Sequence, residues 1–167
     1  MNNRTKDTAP FAEIIDARLR MQGDSAHHLE TVCEHNGVTW LNNSIATTVD
    51  LTWYALRDLP GSVILIIGGV DRANDHHKLK EVIAEKVETI ICLGTTSWIY
   101  KEAFRNDAKL IVNASDLDDA VKMAQKLTTN KIKTVLFSPS CPSYEAFDNY
   151  KNRGDKFKSA VKQHINA

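Results

Sequence analysis

Neither sign of charge is in excess in this 167-residue sequence, where 21 Lys and Arg stand against 21 Asp and Glu. A chain so balanced lacks the overall basic field that draws proteins onto nucleic acid or anionic membranes, although it leaves a local patch open. Cysteine is scarce as well. Cys33, Cys92 and Cys141 are odd in number, widely spaced and without a CxxC pair, which argues against a disulfide framework or a cysteine-rich zinc site and fits a reducing cytoplasm. No stretch reaches the roughly 18 apolar residues of a membrane span. Arg4, Lys6, Asp7, Glu13 and Asp16 stand where a signal peptide would be apolar. Also missing are a GxxxxGK(S/T) phosphate loop and a GxGxxG turn, the usual means by which a chain grips a triphosphate or dinucleotide by itself. These absences point to a soluble, cytoplasmic protein with no nucleic-acid partner, no membrane partner and no autonomous nucleotide hydrolysis.

What is present reads as one globular core. Hydrophobic residues make up 43% and charged residues 25%, near the average for folded domains. Phe11, Ile14, Ile15, Leu19 and Met21 recur at near-helical spacing before Gly23-Asp24-Ser25, which predicts a short helix and linker over residues 1–25 ahead of a single domain over residues 26–167. Asn36-Gly37 between residues 29–35 and 38–42 is a strong local hairpin signal, because both turn positions tolerate positive φ. Continuous apolar bursts follow at residues 63–67, 89–93, 110–112 and 134–137, as expected of parallel strands covered on both faces. Amphipathic stretches lie between them: Leu51, Tyr54, Ala55 and Leu59; Leu79, Val82 and Ile83; and Leu117, Ala120, Val121, Ala124 and Leu127, the last opening on a Ser115–Asp118 capping box. The expected fold is α/β, a Rossmann-like open and mostly parallel sheet with flanking helices and an N-terminal β-hairpin.

Ligands of such sheets bind beyond the carboxyl ends of the strands, where loops and helix N-termini expose amide donors. Here the strands run out into Gly68-Gly69-Val70-Asp71-Arg72, Gly94-Thr95-Thr96-Ser97 and Ser138-Pro139-Ser140-Cys141-Pro142-Ser143. The pieces suit an anion. Glycines let backbone approach a ligand, Arg72 offers paired donors to a carboxylate or phosphate, and Ser143 is expected just ahead of a helix from about Tyr144. A plainer alternative is that the glycines only turn the chain and Arg72 is a solvated charge.

Other motifs are weaker. His27-His28 and His76-His77 tempt as metal ligands, but neighbours in sequence do not share a face and no carboxylate cluster accompanies them, so solvated histidines are expected and no metal site. Cys141 lacks a signature base and is expected to be non-catalytic. The lysines at 122, 126, 131 and 133 read as a solvated face. Arg153-Gly154-Asp155 matches an adhesion tripeptide by chance, inside a segment that reads as helical.

Taken in order, His27-His28-Leu29-Glu30, Asn36-Gly37-Val38, Asn42-Asn43-Ser44-Ile45-Ala46-Thr47, Gly68-Gly69-Val70-Asp71-Arg72 and the segment from Ser138 to Ser143 resemble the C-terminal domain of the Mur ligases. The likeness is nearest the branch that adds D-glutamate, and it runs from His27 to about Lys162. It implies the last of three domains, the partners being the N-terminal and central domains of the same ligase, with ATP and Mg bound mainly by the central one. It also implies a reaction in which the carboxylate of UDP-N-acetylmuramoyl-L-alanine becomes an acyl phosphate and is attacked by the amine of D-glutamate. Catalytic residues are expected elsewhere and none in this domain. By position, Thr47, Arg72, Ser143, Tyr144 and Tyr150 fall on the family's D-glutamate contacts, and His28 and Asn43 near the nucleotide. The family's Asn-Asp-Ser-Lys-Ala-Thr has become Asn-Asn-Ser-Ile-Ala-Thr here, and His28 replaces an arginine. A non-catalytic or degenerate binding module of ligase ancestry is the alternative those changes leave open.

Overall fold

The turn at Asn36-Gly37 sets the first two strands. Both residues have positive φ, 51° and 76°, as a two-residue hairpin turn demands. β1 (Glu30–His35) and β2 (Val38–Asn42) accordingly pair antiparallel, with His35 opposite Val38 beside the turn. The chain is a computed structural model that describes residues 26–70, 74–95, 97–144 and 146–165. The helix expected over residues 11–21, its linker, and Arg72 lie outside those residues.

The apolar bursts are strands: β3 (Ser62–Gly68), β4 (Val87–Leu93), β5 (Leu110–Ala114) and β6 (Ile132–Phe137). They form one sheet in the order β1-β2-β6-β3-β4-β5, parallel everywhere except at the hairpin. The helices are α1 (Val49–Asp58), α2 (Lys80–Lys86) preceded by a 3-10 turn (His76–Leu79), α3 (Ser97–Phe104), α4 (Leu117–Leu127) and α5 (Tyr150–Ile165). Strand pleating divides β3 between two cores. Val63, Leu65 and Ile67 pack with Leu56, Ile83, Tyr100 and Phe104 on the face of α1, α2 and α3. Ile64 and Ile66 pack with Trp40, Val121, Phe157 and Val161 on the face of α4 and α5, where the Phe137 and Phe157 rings stack at 4.7 Å. Among the described residues no helix is long and apolar enough to cross a membrane.

Several local expectations are corrected. β5 is an edge strand and only partly covered, with Leu110 41% exposed, because a neighbour pairs with it on one side alone. The α4 cap stands one residue later than expected. Asp116 accepts from the Asp119 amide at 2.8 Å, and Asp119 accepts in turn from the Ser115 amide at 2.9 Å, since a carboxylate is the stronger acceptor. α3 went unrecognised because its two buried residues, Tyr100 and Phe104, are too few to print a period. The last helix begins at Tyr150 and not near Tyr144. Ahead of it the Phe147 amide donates to the Ser143 carbonyl at 3.0 Å, and Asn149 then caps α5 by accepting from the Asn152 amide at 2.9 Å. His27 and His76 are buried, 4% and 5% exposed, where solvated histidines were expected.

Burial of His27 ties the start of the domain to its last helix. The Asn42 amide gives one hydrogen to His27 Nδ1 at 2.9 Å and one to Glu30 at 3.0 Å, and Glu30 also accepts from the His27 amide at 2.9 Å and from Lys158 at 3.1 Å. Lys158 reaches Asp155 as well, at 3.2 Å. The His27 ring packs against α5 where Gly154 offers no side chain: a Cβ there would stand 2.1 Å from His27 Nδ1.

Gly154→Ala therefore reverses the usual sign of a helix substitution. Ala ordinarily gains up to about 1 kcal/mol in a helix interior, but here overpacking is expected to cost about 2 kcal/mol or more net, read as a lower denaturant midpoint at unchanged slope.

Glu30 gives a pH signature. Burial alone would raise its carboxyl, but the His27 amide, Lys158 and Asn42 outweigh that and hold it below the usual carboxylate range. Lys158 is shifted upward, burial opposing and Glu30 and Asp155 prevailing. A depressed carboxyl stabilises the fold fully above its unfolded value of about 4.3 and loses that contribution as pH falls through its folded value. A raised amine contributes fully below about 10.4 and is lost as pH climbs through its folded value. Denaturation curves across pH are expected to show Glu30→Gln about 1 kcal/mol less stable than wild type near neutrality, with the gap closing under acid.

Candidate functional site at the carboxyl edge of the sheet

From β3 the chain moves outward through β4 and β5, and β6 then returns to the other side of β3, beside β2. The order of strands reverses there, and the reversal opens a crevice at the carboxyl ends of β3 and β6. The two loops above it are in close contact. The Ser138 amide donates to the Ile66 carbonyl and the Gly68 amide to the Pro139 carbonyl, each at 3.0 Å, carrying the strand ladder past the strands. Gly68 and Gly69 have φ of 115° and 148°. A Cβ on Gly68 would stand 2.7 Å from the Leu93 carbonyl oxygen and one on Gly69 2.7 Å from Cys141 Sγ, so backbone contact is what these glycines permit.

At the crevice the loops after β2 and β6 meet α5 around Arg153, which is 2% exposed. Its Nε donates to Ser44 Oγ at 3.1 Å, Nη2 to the Ser44 carbonyl at 2.8 Å and Nη1 to the Cys141 carbonyl at 2.9 Å. Ser44 Oγ donates onward to the Tyr150 carbonyl at 2.7 Å. Burial lowers the guanidinium from its ordinary value, while Cys141 and Tyr100 act the other way, and an arginine stays charged throughout. The sequence carried a signal for this. Arg153 shares a helical face with Phe157, Ala160, Val161 and Ile165, all buried, so a charge stands on an apolar stripe.

Among the expected site residues, Asn43, Thr47, Ser143 and Tyr144 lie in the loops after β2 and β6, whose strands are neighbours. Thr47 is half-buried just ahead of the Thr48 cap of α1, its amide donating to the Ile45 carbonyl at 2.7 Å. Ser143 is buried and Tyr144 is 73% exposed. Tyr150 opens α5, with its ring set edgewise to His27 at 6.1 Å. His28 is half-buried in the turn that enters β1. Asn43 is turned inward: Oδ1 accepts from the Leu29 amide at 3.3 Å and Nδ2 donates to Ser138 Oγ at 3.1 Å, which Thr52 also contacts at 2.8 Å.

A cavity of about 510 Å³ opens beside these loops, floored by Gly68, Gly69 and Leu93 and walled by Ser115–Asp118, Ser143, Phe147 and Lys156. Ser143 is the expected site residue that it shares; Thr47, Tyr144 and Tyr150 do not line it. Its acids are committed: Asp116 caps α4 and Asp118 meets His164 at 2.8 Å. Lys156 stands 5.1 Å above the Phe147 ring. Among the described residues no group of three or more His, Cys, Asp and Glu side chains is placed to hold a metal ion.

Comparison with known proteins bears on this edge. The family described as "Mur ligase, glutamate ligase domain" matches residues 27–141. The UDP-N-acetylmuramoylalanine–D-glutamate ligase of Christiangramia forsetii is 40% identical over 136 residues, 81% of this chain and 30% of that protein. The enzymes of the same name from Porphyromonas gingivalis strain ATCC 33277 and Chlorobium limicola strain DSM 245 are 38% and 40% identical, over 89% and 87% of this chain and 33% and 31% of theirs. The chain thus spans about a third of the length of the curated relatives it matches. A looser likeness, with a TM-score of 0.47 at 10% identity over 88% of this chain and 36% of the other, links it to the MurF ligase of Thermotoga maritima in complex with ADP.

The closeness of Gly69 to Cys141 can be measured. Gly69→Ala combines a positive φ with an intruding methyl group and is expected to cost about 2 kcal/mol or more. In a double-mutant cycle Cys141→Ala should return part of that loss, because it removes the opposing sulfur, and leave the backbone part standing.

Proposed function

Since this chain belongs to the Mur ligase family through its glutamate ligase domain, we propose that it is the amino-acid-presenting C-terminal domain of a UDP-N-acetylmuramoylalanine–D-glutamate ligase, acting in peptidoglycan precursor synthesis. The observation that carries this is the family match itself, which runs along the chain from His27 to Cys141. Its partners in this reading are the N-terminal and central domains of the same ligase, and its place is the cytoplasm.

The reaction joins the carboxylate of UDP-N-acetylmuramoyl-L-alanine to the amine of D-glutamate. ATP, with Mg, activates the carboxylate as an acyl phosphate; the amine attacks the acyl carbon, an amide forms and phosphate leaves. ATP and Mg are bound mainly by the central domain in this reading, this sequence having no phosphate loop of its own. What this chain supplies is binding and orientation. Thr47, Ser143, Tyr144 and Tyr150 present hydroxyls and aromatic surface from adjoining loops, and Arg72 supplies cationic charge for the side-chain carboxylate of D-glutamate. Such placement converts a bimolecular encounter into a directed one. His28 and Asn43 serve the nucleotide side, and Asn43 does so through the loop it braces, since its amide is already bonded inside the protein.

Steady-state assays of phosphate release by the whole ligase test this. Activity should require both UDP-N-acetylmuramoyl-L-alanine and D-glutamate, and Arg72→Ala should raise the KM for D-glutamate by about tenfold or more. An unchanged glutamate dependence removes Arg72 from the site. No turnover with D-glutamate in the wild type favours the degenerate module instead.

A further inference from the structure

We propose that Arg153, clasped by Ser44, is a positioning residue that sets the amino-acid site; this rests on the reading given under Proposed function. Arg72 aside, the expected D-glutamate contacts lie on three segments, two bonded to this side chain directly and the third through Ser44. Ser44, three residues before Thr47, gives Arg153 both its hydroxyl and its carbonyl as acceptors. Cys141, two residues before Ser143, gives its carbonyl. Tyr150 is held through its own carbonyl, which accepts from Ser44 Oγ. Ser44 is thus the pivot, accepting from Arg153 and donating to the first residue of the helix that carries Arg153.

The chemistry requires arginine. A guanidinium is a planar fork with donors in fixed directions, so it fixes the distance and the angle between the loops after β2 and β6. An ammonium at the end of a lysine has the charge without the fork. The roots of the loops are joined by Asn43, whose amide donates to the Phe137 carbonyl and whose side chain donates to Ser138; further out the guanidinium ties Ser44 to the Cys141 carbonyl, and Ser140 beside it sits at a φ of 62° with its buried hydroxyl unpartnered. A site whose contacts come from separate loops loses affinity when those loops shift by fractions of an ångström. The nucleotide candidates are reached differently: Asn43 is fixed by Leu29 and Ser138, with no bond to the guanidinium. Weakening the clasp should therefore be felt on the amino acid and not on ATP.

The test uses the whole ligase with Ser44→Ala, which removes one acceptor and keeps both carbonyl bonds, alongside Arg153→Lys and Arg153→Ala. Ser44→Ala is expected to raise the KM for D-glutamate about tenfold while the KM for ATP stays within about twofold. Arg153→Lys should recover little of what Arg153→Ala loses. If Arg153→Ala fails to fold, Ser44→Ala still decides. Unchanged KM for D-glutamate in a folded Ser44→Ala enzyme overturns the clasp and leaves the ligase reading intact. A parallel rise in both KM values with a fall in kcat also overturns it, since that marks general loosening. A wild-type enzyme that does not use D-glutamate overturns both.

Discussion

Burying a guanidinium obliges the surrounding chain to supply acceptors, and that obligation organises the carboxyl edge of this domain. A charge taken out of water costs several kcal/mol unless its donors are met. Arg153 is met by two carbonyls and a hydroxyl from loops that are far apart in sequence. Asn43 joins those loops at their roots, and beyond it the guanidinium takes over. Satisfying one fixed set of donors constrains their mutual geometry further, so the spacing among Thr47, Ser143 and Tyr150 is tied to where α5 packs.

The sheet supplies the rest of the frame. Reversal of strand order puts β6 between β2 and β3, which brings the loop after the hairpin into the same neighbourhood as the glycine pair after β3. Two consequences differ in kind. On the β2 side the loops present polar side chains and aromatic surface; on the β4 and β5 side the same segment closes one wall of a cavity whose acids are already occupied by capping and by His164. Ser143 borders both, and Arg153 lies between them.

Much of this was legible in the residues and some was not. β3, β4 and β6 were readable because each holds a short unbroken apolar run that is buried, leaving little polar alternation to blur it; β5 showed the same run although it is only partly covered. The hairpin was readable because Asn36-Gly37 admits so few conformations. α3 was not, because its eight residues bury only Tyr100 and Phe104. The start of α5 was misplaced because Ser143-Tyr144 resembles a cap, whereas Phe147 first packs partly buried against the core and Asn149 then performs that role. At the site, resemblance pointed to positions that reach outward, such as Tyr144. The inward-facing residues that hold them, Ser44 and Arg153, carry no chemistry recognisable in isolation; only the placement of a charge on the apolar stripe of α5 hinted at them. His27 was misjudged for a similar reason, since the vacancy it fills is made by Gly154 far along the chain.

The knot of His27, Asn42, Glu30 and Lys158 closes the domain into a ring, since it joins the first described residues to the helix that ends the described chain. The start of β1 and the middle of α5 are held to one another. Amide exchange at β1 and at α5 is thereby coupled into one cooperative opening, and motion imposed on the entering polypeptide is delivered to the far helix through the ends of β1 and β2, where Glu30 and Asn42 stand.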